Sequence, residues 1–411
     1  MMIKNRWLAL TIIGIAVIFC LSLWFNASVI ASELEKSWSL TPPQVALLSA
    51  AIPIGFVIGA FLSSYFGLSD RFNIRRLFAI SALSGAFLNG VLIIVDQAAI
   101  GILLRILTGV TLAGVYPTSV KMIAHWFPIQ RGLATGILIA ALTLGSSLPH
   151  FISIFTINMD SRWVLTISST LAMIAAIIIF YLLPDIRLVS KNSSWSFSVF
   201  GKLLKNKPVM LVNYGYFGHM WELYAMWTWL PVFLSASFLR SAPNLDPWLS
   251  MLASFSAIGI AGGIGCIAGG IVADKIGRAN LTIICMLVSA ICAILIGFTF
   301  GGFIWLTVLV SIVWGASVIA DSAQFSVGIT EFAEADYIGT ALTLQMCIGF
   351  LITILSINLI PIFQTLLGWR FVFILLSIGP IFGIISMVKF KYFEARVNDR
   401  SVQRDGSHGP S

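Results

Sequence analysis

Three charged residues sit deep inside the apolar stretches of this 411-residue chain: Arg105, Glu222 and Asp321. An ionisable group in hydrocarbon is costly, so it marks a functional candidate by default. His219 lies three residues before Glu222, and an i, i+3 pair shares one helix face. Gln324 stands in the same relation to Asp321, and Asn26 adds an amide to the first apolar stretch. Together these groups suit proton binding and release. A buried carboxylate whose surroundings alternate between apolar and cationic can take up and give back a proton in each cycle. Glu222 is the expected proton carrier, with His219 beside it and Asp321 as a further candidate. The plainer alternative for each is a hydrogen bond tying one helix to a neighbour. Arg105 is the only embedded cation. Its guanidinium suits an anionic solute held bidentately, and equally a proton-coupling partner or a buried ion pair.

The elements that must hold these groups are apolar on every face. Twelve windows of about twenty residues, the length that crosses a bilayer core, run Trp7–Ala31, Val45–Phe66, Leu77–Val95, Ala98–Val120, Gly132–Ile157, Trp163–Leu183, Pro208–Leu239, Trp248–Ala273, Leu281–Phe300, Ile304–Ile329, Ile338–Leu367 and Phe371–Val388. Spanning strands would alternate apolar and polar residues, and these runs do not, so twelve transmembrane helices are expected. Hydrophobic residues make up 59% of the chain and charged residues 10%, against about 25% charged in a soluble domain. Lys4 and Arg6 before the first window suggest a signal peptide, but the run is too long and lacks a small-x-small cleavage site. Glu222 lies about fourteen residues past Pro208, about 21 Å along a helix, near or somewhat past mid-membrane.

Charge placement sets orientation. Of the 24 Lys and Arg, only Lys36, Arg162, Arg240 and Arg370 fall on one side, Arg105 lies within a span, and the rest lie on the other side. That excess predicts cytoplasmic N- and C-termini, in a bacterial-type inner membrane. A net charge of +8 is then topology, and no nucleic-acid partner is expected. Cys20, Cys266, Cys285, Cys292 and Cys347 all fall inside apolar windows, as small apolar residues do. Neither a disulfide framework nor a metal or cofactor site is expected. No nucleophile elbow, phosphate loop or metal-ligand spacing appears, so an enzyme is not expected. His125 and His150 carry no assigned role. Tyr214, Tyr216, Phe217, Trp221, Tyr224, Trp227 and Trp229 crowd the seventh window; packing and lipid contact account for most, with some facing solute.

The chain reads as duplicated. Leu68-Ser69-Asp70-Arg71-Phe72-Asn73-Ile74-Arg75-Arg76 follows the second window, and Gly270-Ile271-Val272-Ala273-Asp274-Lys275-Ile276-Gly277-Arg278 follows the eighth. Arg162-Trp163-Val164 opens the sixth and Arg370-Phe371-Val372 the twelfth. The expected organisation is a six-helix half over 1–184, a cytoplasmic linker over 185–207, a second half over 208–393 and a disordered tail over 394–411. Gly259/Gly263 and Gly265/Gly269 are spaced for close helix contact in lipid.

At these loops the chain resembles the major facilitator superfamily, over nearly its whole length. That family carries G-x-L-A-D-R-x-G-R-R after its second helix and a weaker copy after its eighth. Leu68, Asp70, Arg71 and Arg75 match the first copy, and Gly270, Ala273, Asp274, Gly277 and Arg278 the second. Arg105 to Gly109 matches its R-x-x-x-G on helix four. Phe66 and Asn73 stand where Gly is expected; Asn tolerates left-handed backbone, so the turn is expected to survive. The helix-five antiporter pattern is poorly matched at Gly145 to Pro149, which favours symport over proton exchange. The resemblance implies that helices 1, 4, 7 and 10 line a central cavity, which puts Asn26, Arg105, His219, Glu222, Asp321 and Gln324 on the pathway. It also implies a cytoplasmic latch of Asp70, Arg71, Arg75, Asp274 and Arg278. The expected function is secondary transport of a small organic solute, with Arg105 favouring an anion, coupled to protons, by a monomer in the bilayer. The rivals are an exporter of the same fold, which an aromatic cavity with Arg105 out of reach would favour, and a non-transporting sensor. Asp70→Ala should lower turnover while leaving solute affinity nearly unchanged; wild-type rates in reconstituted vesicles would remove the latch.

Overall fold

The protein is described from a computed structural model covering residues 5–127, 131–157, 159–160, 162–185, 197–334 and 338–405, with backbone alone at 42, 69–70, 131–132, 197–200 and 396–405. It is all-helical, with two six-helix pseudo-repeats. Eleven of the described helices are long and apolar enough to cross a membrane: α1 (Arg6–Val29), α2 (Pro43–Tyr65), α3 (Ile74–Ile94), α4 (Ala98–Trp126), α5 (Leu133–Thr156) and α6 (Arg162–Leu182), then α8 (Trp248–Ile276), α9 (Arg278–Thr299), α10 (Ile304–Phe332), α11 (Ile338–Leu367) and α12 (Ile374–Ala395). The twelfth span is α7, Lys207–Ser241, a continuous helix of 35 residues. Asn213, Tyr214, Tyr216, His219, Glu222 and Tyr224 dilute its apolarity. The span with this dilution is thus the one that carries His219 and Glu222.

Each half packs around its own first helix, α1 against α5 and α6, and α7 against α11 and α12, while α2 on α11 and α5 on α8 join the halves. Without a hydrophobic drive between helices in lipid, small residues let backbones approach. A Cβ at Gly109 would strike the Ile52 carbonyl, and one at Gly55 the Ile106 carbonyl, so α4 lies directly on α2. In α8 the two glycine pairs point different ways. Gly265 and Gly269 abut the Ala316 and Ala320 carbonyls of α10, whereas Gly259 and Gly263 face Ser147 and Ala140 of α5, across the halves.

Two spans are interrupted at corresponding places. Helix α4 breaks between Leu112 and Tyr116, where Gly114 and Pro117 fall in sequence. Helix α10 breaks at Asp321, with helix ending at Ala320 and resuming at Ser322. Interrupted segments at matching positions of two repeats point to a transporter's binding site.

Two expectations are corrected. Asn73 is not left-handed: at φ −63°, ψ 120° it caps α3, its side chain accepting from the Arg75 and Arg76 amides. The left-handed residue of the first loop is Gly67 at φ 61°, and Gly277 at φ 87° turns the second. The tail is not disordered from its start, because the last helix runs on to Asp405. Glu394 pins it by accepting from the Arg278 and Ala279 amides at 2.8 and 3.1 Å; 406–411 lie outside the described residues. Within the linker, Phe197–Lys205 is helical and Leu203 is buried, while 186–196 lie outside the described residues. Gly109→Val should lower stability by about 1–3 kcal/mol through overpacking against α2; unchanged thermal unfolding in detergent would refute that contact.

Candidate functional site

A central cavity opens between the halves at the level of the two helix breaks. Leu21 and Trp24 of α1, Phe56 of α2, Tyr116 of α4 and Ile139 of α5 line one wall. Tyr216, Met220 and Tyr224 of α7, Ser322 and Ser326 of α10 and Phe350 of α11 line the other. Tyr116 and Ser322 are the first residues after the two breaks, so each half sends a hydroxyl into the same space. On the side away from the basic loops the halves meet ring to ring. Trp24 lies 5.4 Å from Tyr224, Phe25 6.2 Å from Trp227, and Phe151 4.9 Å from Phe255. The described conformation is closed on that side.

The sequence-derived site residues divide into three groups. Arg105 does not reach the cavity wall. It donates to the Leu23 carbonyl and to Asn26 Oδ1, both at 2.8 Å, and to the Trp24 carbonyl at 2.6 Å. Asn26 donates in turn to Asn89 Oδ1 at 2.9 Å, and Asn89 to Ser169 Oγ at 2.9 Å and the Leu165 carbonyl at 3.3 Å. One polar chain thus threads α4, α1, α3 and α6, behind Trp24. The anionic-solute expectation rested on a guanidinium facing the cavity. Here its donors are drawn instead to backbone carbonyls that would otherwise face it unsatisfied.

The second group lies in the other half. Arg105, Glu222 and Asp321 are each 1% exposed and His219 2%. Glu222 accepts from Ser289 Oγ of α9 at 2.8 Å and Trp314 Nε1 of α10 at 2.7 Å. His219 Nδ1 lies 2.9 Å from an Asp321 oxygen, and its Nε2 lies 2.8 Å from Ser322 Oγ. His219 and Glu222 share a face of α7, as their spacing predicts, but that face looks into the half-bundle. Ser322 connects His219 to the cavity by a hydrogen bond, and Tyr216, stacked 6.1 Å from His219, connects it by ring contact. The run Ser322–His219–Asp321 is a path of close polar contacts, one hydrogen bond and one imidazole–carboxylate contact, from a wall hydroxyl to a buried carboxylate.

The third group lies at the basic face. Arg75 donates to the Phe180 and Leu183 carbonyls at the end of α6, both at 2.9 Å, and pairs with Asp185. Arg278 holds Glu331 at the end of α10 and donates to Gln324 Oε1 at 3.0 Å. Gln324 therefore belongs with this loop cluster and not with the cavity lining. Each arginine binds a helix end within its own half: Arg75 meets free carbonyls, where the negative dipole end favours a cation, and Arg278 meets a carboxylate and an amide oxygen. Asp274 and Arg71 are exposed; the Asp70 side chain lies outside the described residues.

Sequence reasoning missed Tyr116, Ser322, Ser326, Trp24, Phe56 and Phe350 as wall residues. The Gly114–Pro117 interruption signalled Tyr116. Nothing local distinguished Trp24, Phe56 or Phe350 from packing aromatics. Of the crowded α7 aromatics, Tyr216 and Tyr224 face the cavity. Trp221 and Trp229 instead donate to the Leu375 and Ile357 carbonyls, each at 3.0 Å.

Comparison with known proteins gives likenesses of family, of sequence and of structure. A sequence profile for the family described as Major Facilitator Superfamily matches residues 12–357. A probable sulfoacetate transporter, SauU, of Cupriavidus necator is 22% identical over 272 residues, 61% of either chain. The niacin transporter NiaP of Acinetobacter baylyi is 26% identical over 132 residues, 30% of either chain. The chain spans less than two-thirds of the length of both relatives. The crystal structure of a variant of the nucleoside transporter NupG matches with a TM-score of 0.72 at 16% identity, covering 94% of this chain and 100% of that one. At that identity the likeness is one of fold.

A double-mutant cycle of Arg105→Lys and Asn26→Ala should be non-additive by about 0.5–3 kcal/mol, as for groups in one network. Arg105→Lys should also leave the preference between charged and neutral solutes unchanged. Additive losses in thermal unfolding would separate Arg105 from Asn26.

Proposed function

Because the chain belongs to the major facilitator superfamily, we propose that it is a proton-coupled secondary transporter of a small organic solute. It works by alternating access, with the two six-helix halves rocking around the central cavity. It is a multi-pass membrane protein, not an enzyme. The bacterial inner membrane, the cytoplasmic termini and a monomeric state complete the reading. The relatives' names concern small solutes, and this chain's cargo is read as one of that size.

The observation that carries proton coupling is the charge balance of the second half. Two carboxylates are buried there, and no fixed cation touches either among the described residues. Glu222 has a hydroxyl and an indole N–H as partners, and Asp321 has an imidazole that is itself titratable. Charge in such a pocket is balanced by protons more readily than by an immovable guanidinium. The Ser322–His219–Asp321 path supplies a route from the cavity, and a solute lying on Ser322 would disturb it. That is how occupancy and protonation become linked.

One observation favours the second reading, export. The cavity wall is built of aromatic and aliphatic residues, and Arg105 is out of reach of its contents. The direction of pH-driven movement separates the two: symport draws solute in with protons, and exchange drives it against them.

Glu222→Gln should abolish accumulation driven by a pH gradient while leaving exchange of preloaded solute intact. Asp321→Asn should do the same if the relay carries the proton. Gradient-driven uptake at wild-type levels in both variants would rule out this coupling site.

A further inference from the structure

The geometry points to a flat, uncharged heteroaromatic solute as the occupant of the central cavity. Such a solute is held by ring contact and by hydroxyl and N–H groups, with no charge pairing. This inference rests on the transporter reading above and narrows its cargo.

The first argument is electrostatic. Among the described residues no charged side chain lines the cavity. The Arg105 guanidinium is spent on the Leu23 and Trp24 carbonyls, and the two carboxylates lie behind the far wall, turned toward α9 and α10 or toward His219. An anion entering this space would shed water without gaining a cation, which is strongly unfavourable. A fixed organic cation needs aromatic faces around it. The rings here are packed against one another instead: Phe56 lies 4.8 Å from Phe350, Tyr224 5.2 Å from Phe350, and Trp24 5.4 Å from Tyr224. They meet across the two halves as a floor of rings at one end of the cavity, and such a floor suits a flat ring laid on it, with about 0.5–1.5 kcal/mol per aromatic pair beyond area burial.

The second argument is the polar inventory. Trp24 Nε1 is buried without a partner among the described residues, although an indole N–H is a donor only and an unsatisfied buried donor costs about 1–3 kcal/mol. Tyr116, Tyr216 and Tyr224 bring phenolic hydroxyls to the same space. Ser322 is already engaged with His219, and Ser326 adds a further hydroxyl. A donor-rich, uncharged rim around an aromatic wall recognises ring nitrogens and carbonyl oxygens. It reads them from both halves at once, since Tyr116 belongs to α4 and Ser322 to α10.

The test is equilibrium binding to the purified full chain in detergent, with no gradient, read by tryptophan fluorescence and thermal stabilisation. Benzamide, benzoate and benzyltrimethylammonium vary the charge on one ring, and uracil and hypoxanthine serve as neutral heteroaromatics. At least one neutral heteroaromatic should bind, at least about tenfold tighter than either charged probe. Trp24→Phe, which keeps a ring and loses the donor, should weaken that binding by about 3- to 30-fold. Tyr116→Phe provides a second, milder deletion of a single hydroxyl. The inference is overturned if a charged probe binds as tightly as the neutral ones. It also falls if no neutral ring binds up to about 1 mM, or if both variants keep full affinity. A chain that binds neutral rings but shows no pH-driven movement would keep this inference and overturn the coupling. Pumping of a charged solute would do the reverse.

Discussion

A guanidinium, two carboxylates and an imidazole are enclosed within helices that span lipid, and every other feature of the interior accommodates that cost. An arginine at a helix centre costs about 2.5–3.5 kcal/mol on insertion scales. Arg105 makes three hydrogen bonds of 2.6–2.8 Å, and bonds to charged groups are worth about 1.5–3 kcal/mol each. That is enough to hold the charge without a counter-ion, provided α1 lies close enough to offer two carbonyls. Small residues pack the neighbouring helices: Gly145 of α5 seats against Ile18 of α1, and Gly109 brings α4 onto α2. The glycine of the Arg105–Gly109 motif thus seats α4 on α2, while its arginine reaches across to α1.

The halves treat their buried polar groups differently. In the first, the chain from Arg105 through Asn26 and Asn89 to Ser169 consists of groups that neither gain nor lose protons easily. In the second, Glu222, Asp321 and His219 are all titratable, and a serine hydroxyl links them to the cavity. Duplication therefore preserved the helical frame and the paired breaks in α4 and α10, while the chemistry diverged. Tyr116 and Ser322 show the result: two unlike side chains stand at corresponding places on opposite walls.

At the basic face, Arg75 and Arg278 fasten loop to helix end inside one half, and Glu394 caps α9 from the last helix. These ties stiffen each half as a body. Between halves, the described ring contacts concentrate on the opposite side, where aromatic surfaces meet without ionic fastening. Interfaces of that kind separate at lower cost than paired charges, which suits rigid halves that rock around a central site.

The amino-acid sequence alone determined the number of spans, the duplication, the sidedness of basic residues and the identity of the buried ionisable groups. All of these follow from local apolarity and from period, which need no knowledge of neighbours. It also made His219 and Glu222 share a helix face, because helical geometry is local. Which way that face pointed was a matter of tertiary packing. The same packing drew Arg105 away from the cavity to carbonyls of α1, and Gln324 to Arg278. It made wall residues of Trp24, Phe56 and Phe350, which read in sequence like any other membrane aromatics. A side chain's partners come from helices distant along the chain, and their rotation about their own axes is set only when the whole bundle closes.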